Sequence, residues 1–312
     1  MMHFLQICDE FPATEIKTRD ISAKIRDQVT ERLKSQISTS NVADLVTLLE
    51  KFAYFNLPFS DITLLISKSI KTDPALVTPS LAYKIIEVFA SRQALDIFAF
   101  TLIQKLTTFH REAFMELSLE EKAPLFRNFA WLELQTQPPE YEVPFVMYAL
   151  KKELQKMLDQ LSEKAVIQVL EAYQRLPRDF PADFLDDVRE SIIVTIQSAP
   201  SKLSTEFILG FLSVISELPT NKQPNLPKLK VVLNELSQRL GKEKPLQSAE
   251  NFNKMIQIVS RFDVKDQTFS KAVSEYILNH SNTGVFFNGH ALFMIKATGI
   301  NVVPIIQKVM QF

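Results

Sequence analysis

The sequence predicts an all-α fold, a right-handed α-solenoid of about six or seven helix-pair repeats. Three observations carry that expectation. First, segments 42–58 (VADLVTLLEKFAYFNLP), 161–177 (LSEKAVIQVLEAYQRLP) and 203–219 (LSTEFILGFLSVISELP) share one design. Each is a helix-length apolar pattern that ends in Leu-Pro and is followed by a second helical pattern. Ala53-Tyr54-Phe55-Asn56-Leu57-Pro58 and Ala172-Tyr173-Gln174-Arg175-Leu176-Pro177 agree at four of six positions. Second, the 5 glycines are few and the 24 phenylalanines many. Scarce glycine argues against Rossmann folds, phosphate-binding loops and turn-rich β folds, which need backbone at positive φ. Third, the expected repeat starts at Ser80, Ser118, Ser162, Ser204, Ser248 and Asn288 lie 38 to 44 residues apart. Long helix-pair repeats have a period of roughly 40 to 47 residues, and the shorter tetratricopeptide and ankyrin periods fit poorly.

In chain order, 1–41 reads as an N-terminal arm and capping helix, and 42–312 as the solenoid. Met1, Phe4, Leu5 and Phe11 suit an arm that docks on the first repeat. Ile21, Ile25, Val29, Leu33 and Ile37 form one apolar stripe on a charged helix over 18–37. The first pair places helices over 42–55 and 59–71, with Pro58 closing the turn. The second covers 80–91 and 93–109. The third opens at Ser118, where Ser118-Leu119-Glu120-Glu121 has the spacing of a capping box, crosses a proline-rich loop over 135–144 and continues to 158. The fourth pair starts at Ser162 and has its second helix over 182–197. The fifth starts at Ser204, has a long loop over 220–227 and ends near Leu240. A sixth pair covers 249–262 and 266–280, and a shorter last pair 288–297 and 302–312. The first helices are more apolar than the second, which assigns them to the inner layer.

Composition bounds the function. With 312 residues and 46% hydrophobic content, the chain can bury a large core. A formal net charge of −1 supplies no bulk attraction to nucleic acid or acidic membranes. The single Cys8 excludes an internal disulfide framework and a cysteine-based zinc site, and fits a reducing compartment. No apolar run approaches the ~18 to 20 residues of a transmembrane helix, so no membrane insertion is expected. Gln6, Cys8, Asp9 and Glu10 interrupt the N-terminal apolar stretch, which is therefore a poor signal or transit peptide.

The chemistry-bearing residues do not assemble a catalytic site. His3, His110, His280 and His290 form no pair on one helix face, and Cys8 has no visible histidine partner. No glycine-rich phosphate loop exists. The expectation is a protein with no catalytic residues, no metal, no cofactor and no small-molecule substrate. Two charged surfaces stand out. Asp183, Asp186, Asp187 and Glu190 lie at i, i+3, i+4 and i+7, either a solvated acidic face or a docking surface for a basic partner. Lys222, Lys228, Lys230, Arg239, Lys242 and Lys244 flank the fifth pair's loop and second helix. They form either a solubilising face or a patch that tracks phosphates of RNA or another acidic partner. Lys151, Lys152 and Lys156 make a smaller patch of the same type. No aromatic residues interleave with either patch, and phenylalanines at helical spacing read as core. The apolar C-terminal pair, with Phe286, Phe287 and Phe293, reads as a docking surface covered by a partner or by another part of the chain.

The helix-pair pattern of 44–53, 165–177 and 207–219, with its Leu-Pro turns and Phe-rich first helices, resembles the heptatricopeptide and FAST-kinase-like repeat arrays. The resemblance spans 42–312 in architecture; the RAP-type domain often found with such arrays is not recognisable. It implies a non-enzymatic scaffold or adaptor subunit of a mitochondrial assembly, linked to RNA processing or the mitochondrial ribosome. Its partners would be other protein subunits and RNA. A direct RNA binder that uses the basic patch, and a subunit of another, protein-only complex, are the alternatives; a cytoplasmic location is the alternative to a mitochondrial one. The near-neutral charge favours membership of an assembly over free RNA binding.

Overall fold

The computed structural model describes residues 41–54, 59–92, 97–132, 142–177, 180–218 and 226–240, with the isolated positions Lys254, Ile258, Ala272, Glu275 and Val303. All regular structure among them is helical. The expected arm and capping helix over 1–41 lie outside the described residues except for Asn41. So do most of the last two expected pairs, of which those five isolated positions are helical.

The chain forms two compact units, Met1–Leu154 and Gln155–Phe312. The first contains α1 (Val42–Tyr54), α2 (Ser60–Thr72), α3 (Pro79–Arg92), α4 (Ile97–Phe109), a short α5 (Arg111–Glu116), α6 (Leu119–Trp131) and most of α7 (Glu142–Lys156). The second contains α8 (Glu163–Arg175), α9 (Asp183–Ser198), α10 (Thr205–Glu217) and α11 (Leu226–Leu240).

Local sequence explains where these helices begin. Asn41 Oδ1 accepts the Asp44 N–H at 2.9 Å at the start of α1. Thr78 Oγ1 accepts the Leu81 N–H at 3.3 Å, and Pro79 occupies the first position of α3, where its missing N–H costs nothing. The capping box at Ser118 forms, with the Glu121 carboxylate accepting the Ser118 N–H at 3.1 Å and its hydroxyl at 2.6 Å. Ser162 and Ser204 accept the N–H groups of Ala165 and Phe207 at 3.2 and 3.0 Å. Each hydroxyl satisfies one of the donors that a helix start leaves open.

Each unit is held together by helix–helix packing. In the first, α1 packs on α2 and α3, α2 on α4, and α3 on α4 and α6. In the second, α8 packs on α9 and α10, α9 on α11, and α10 on α11. First helices therefore meet first helices, and second helices meet second helices, within a unit. The first helices are the most deeply buried: α10 is buried continuously from Phe207 to Ser216, and α6 buries even Lys122 and Asn128. A helix apolar on all sides is stable only inside a core.

Three details depart from the sequence reading, and the expected helix over Pro124 forms despite the proline. The short helix α5 follows His110 and was not expected. Pro124 lies inside α6, where it removes one intrahelical hydrogen bond. Both α7 and α11 begin before the expected loops end, with Pro144 and Pro227 in their first turns. A first turn tolerates proline because its N–H groups have no intrahelical acceptor. Finally, the matched tyrosines diverge. Tyr173 is fully buried, donates to the Pro181 carbonyl at 3.2 Å and meets the Phe180 ring edge-on at 6.1 Å. Tyr54 is half exposed.

Candidate functional site

In the second unit α9 packs on α11, and one residue of each charged surface expected from the sequence meets the other there. Glu190 on α9 pairs with Lys228 on α11. Asp186 pairs with Arg189 one turn along its own helix. Asp187 accepts the Gln155 amide at 2.6 Å. Asp183 stands in the first turn of α9, where the helix dipole favours an acid. The Tyr173 hydroxyl is pushed well above its ordinary range, first by burial and then by the negative charge of Asp183. Thus Asp186, Asp187 and Glu190 each have a partner within the chain.

Arg239 is structural. Its Nε meets Glu235 Oε1 at 2.6 Å, and its terminal nitrogens donate to Leu203 O at 2.7 Å, to Thr205 Oγ1 at 3.3 Å and to Pro200 O. One guanidinium thereby clamps the end of α11 to the 3₁₀ turn Pro200–Lys202 and the start of α10. The planar fork of arginine suits this, since its donors point along fixed directions. Lys230 is exposed on α11. Lys222, Lys242 and Lys244 lie outside the described residues, as do Phe286, Phe287 and Phe293.

A third surface was misread from the sequence. Phe145 and Tyr148 on α7 are 52% and 48% exposed. Lys152 is exposed one turn beyond Tyr148, and Lys151 is buried. Positions i, i+3 and i+7 put Phe145, Tyr148 and Lys152 on one helix face. The Arg111 guanidinium sits 4.1 Å from the Phe145 ring centroid. Two half-exposed aromatic residues therefore share a helix face with Lys152 of the smaller basic patch. The rule that spaced phenylalanines are core also fails here, because Phe98 and Phe109 are half exposed as well. The signal was present in the sequence: Val146, Met147, Leu150 and Leu154 define the buried face, so Phe145 and Tyr148 must point away from it.

His110 is buried beside Phe109 and Phe114, at ring-centroid distances of 4.9 and 6.2 Å. Burial lowers its pKa below the ordinary 6.5, opposed by a hydrogen bond with the Val77 backbone. Among the described residues, no three His, Cys, Asp or Glu side chains are grouped to hold a metal ion. None of the described helices is long and apolar enough to cross a membrane. No family model matches this chain, and no curated protein matches its sequence.

Proposed function

We propose that this chain is a non-enzymatic helical-repeat scaffold, a right-handed solenoid of about six or seven helix pairs that serves as a structural or adaptor subunit of a larger assembly. The observation that supports this reading most is the packing of α1 on α3, α3 on α6, and α8 on α10, with second helices alongside in α2 on α4 and α9 on α11. Stacked pairs of this kind present long side surfaces rather than a catalytic cleft. The resemblance to heptatricopeptide and FAST-kinase-like arrays makes a mitochondrial assembly concerned with RNA the favoured setting. Internal use of Arg239 and Lys228 favours protein contacts over direct binding of RNA by the fifth-pair patch.

The test is sedimentation of the tagged chain in a gentle native extract, with and without nuclease. The reading expects the chain in a fast-sedimenting particle, with protein partners retained after nuclease. A chain that sediments as a free monomer in both extracts would overturn it.

A further inference from the structure

His110 joins α4 to α5 and is a buried base that the scaffold reading does not use. Its N–H donates to the Leu106 carbonyl at 2.9 Å, and its own carbonyl accepts the Phe114 N–H at 2.9 Å. The last turn of α4 and the first turn of α5 therefore both pass through it. The ring is edge-on to Phe109 and tilted against Phe114, and the residue is only 6% exposed. Nε2 is buried and has no hydrogen-bond partner among the described residues. Helix α5 has six residues, of which Phe114 is the buried one. So short a helix does not stand by itself. Phe114 and the ring packed on it hold it in place.

We propose that His110 is an acid-sensitive catch, whose protonation releases α5 and brings Phe114 to the surface. In the charged ring both nitrogens are donors. Nε2 must then present an N–H, and share a positive charge, where the fold offers it no acceptor. A buried charged donor without a partner costs far more than a neutral one. The ring reaches water only by leaving Phe114, and α5 leaves with it, a local opening rather than a global one. No carboxylate steps in to hold the charge. The chargeable side chains on the surrounding elements are Lys71 and Asp73 before the turn at Pro74, Lys105 on α4, and Arg111, Glu112 and Glu116 on α5, and all six are exposed. Asp73 accepts the Ala75 N–H at 3.0 Å, and Arg111 stacks on Phe145. The ring's hydrogen bond with the Val77 backbone does not offset burial, and the pKa stays below the ordinary 6.5.

The test is amide hydrogen exchange of the full chain at about pH 7.5 and about pH 5.5, corrected for the intrinsic effect of pH on exchange. The Phe114 amide should exchange up to about tenfold faster at the lower pH, because a solvated histidine of pKa ~6.5 favours the open form by that factor. Amides of α1 and α3, in the same unit, should keep their protection. His110→Gln, uncharged at both pH values, should abolish the difference. Should that variant fail to fold, the wild-type ring titration followed by NMR decides: its midpoint must coincide with that of the exchange change, and separate midpoints overturn the catch. Equal exchange at the two pH values, a difference that persists in the glutamine variant, or a loss of protection shared by α1 and α3 also overturns it.

Discussion

The carboxylate of Glu163 accepts two hydrogen bonds from Ser204, from its backbone N–H at 2.7 Å and from its hydroxyl at 2.6 Å. Glu163 is the first residue of α8 and Ser204 the residue before α10, so the start of one helix closes the start of another 41 residues on. At Ser118 the same two donors are met locally by Glu121. Ser204 has Phe207 at that position, which cannot reach back, and α8 supplies the acid instead.

Glu163→Ala should therefore destabilise the second unit by about 1 to 2 kcal/mol, a typical cost for a lost cap with its charge-assisted bonds. Ser204→Ala should cost a similar amount, and the double variant little more than either alone. Urea midpoints of the four proteins measure this, and additive effects would contradict the linkage.

Arg239→Ala should destabilise strongly, by roughly 2 to 3 kcal/mol, because carbonyl acceptors at Pro200 and Leu203 lose a charged donor together. Arg239→Lys should recover little of it, since one ammonium cannot span the same acceptors. Lys228→Ala removes an exposed cation paired with Glu190 and should change stability by less than about 1 kcal/mol. Equal effects at the two positions would show that the clamp has been misassigned.

A Cβ added at Gly210 would stand 3.2 Å from Ile167 Cδ1 and meet no backbone atom within 4 Å outside its own helix. The Ile167 tip is only half-buried and can yield. Gly210→Ala should be neutral or stabilising by up to about 1 kcal/mol, because alanine is the better helix former. Gly210→Leu should cost about 1 to 3 kcal/mol by forcing α8 and α10 apart. Thermal melting of both variants checks the contrast.

Since His110 has a folded pKa below 6.5, the unfolded chain binds its proton more readily. Its contribution to stability is full above about pH 6.5 and shrinks as pH falls from there toward the folded value. His110→Gln should flatten that part of the stability profile. Urea midpoints of both proteins between about pH 5 and pH 7.5 give the comparison, and parallel curves would refute it.

Among the described residues, what the sequence determined by itself is every helix but α5 and most of the helix starts. Apolar spacing and capping hydroxyls act within a few residues, so Ser118, Ser162 and Ser204 mark their helices without knowledge of the neighbours. The long α9 and its acidic face, and α11 with its lysines, were legible for the same reason. The local rules missed α5, a six-residue helix that buries Phe114 and would not stand as an isolated segment.

Only the tertiary structure decided what those residues meet. Glu190 finds Lys228 across 38 residues, Gln174 finds Glu217 across 43, and Glu163 finds Ser204 across 41. The partners become neighbours only when helices far apart in the chain pack side by side. The same cause separates Tyr173 from Tyr54. Similar local sequence, agreeing at four of six positions, places both near a helix end, but burial depends on what packs against that end, and at Tyr173 it is Phe180 and the Pro181 carbonyl.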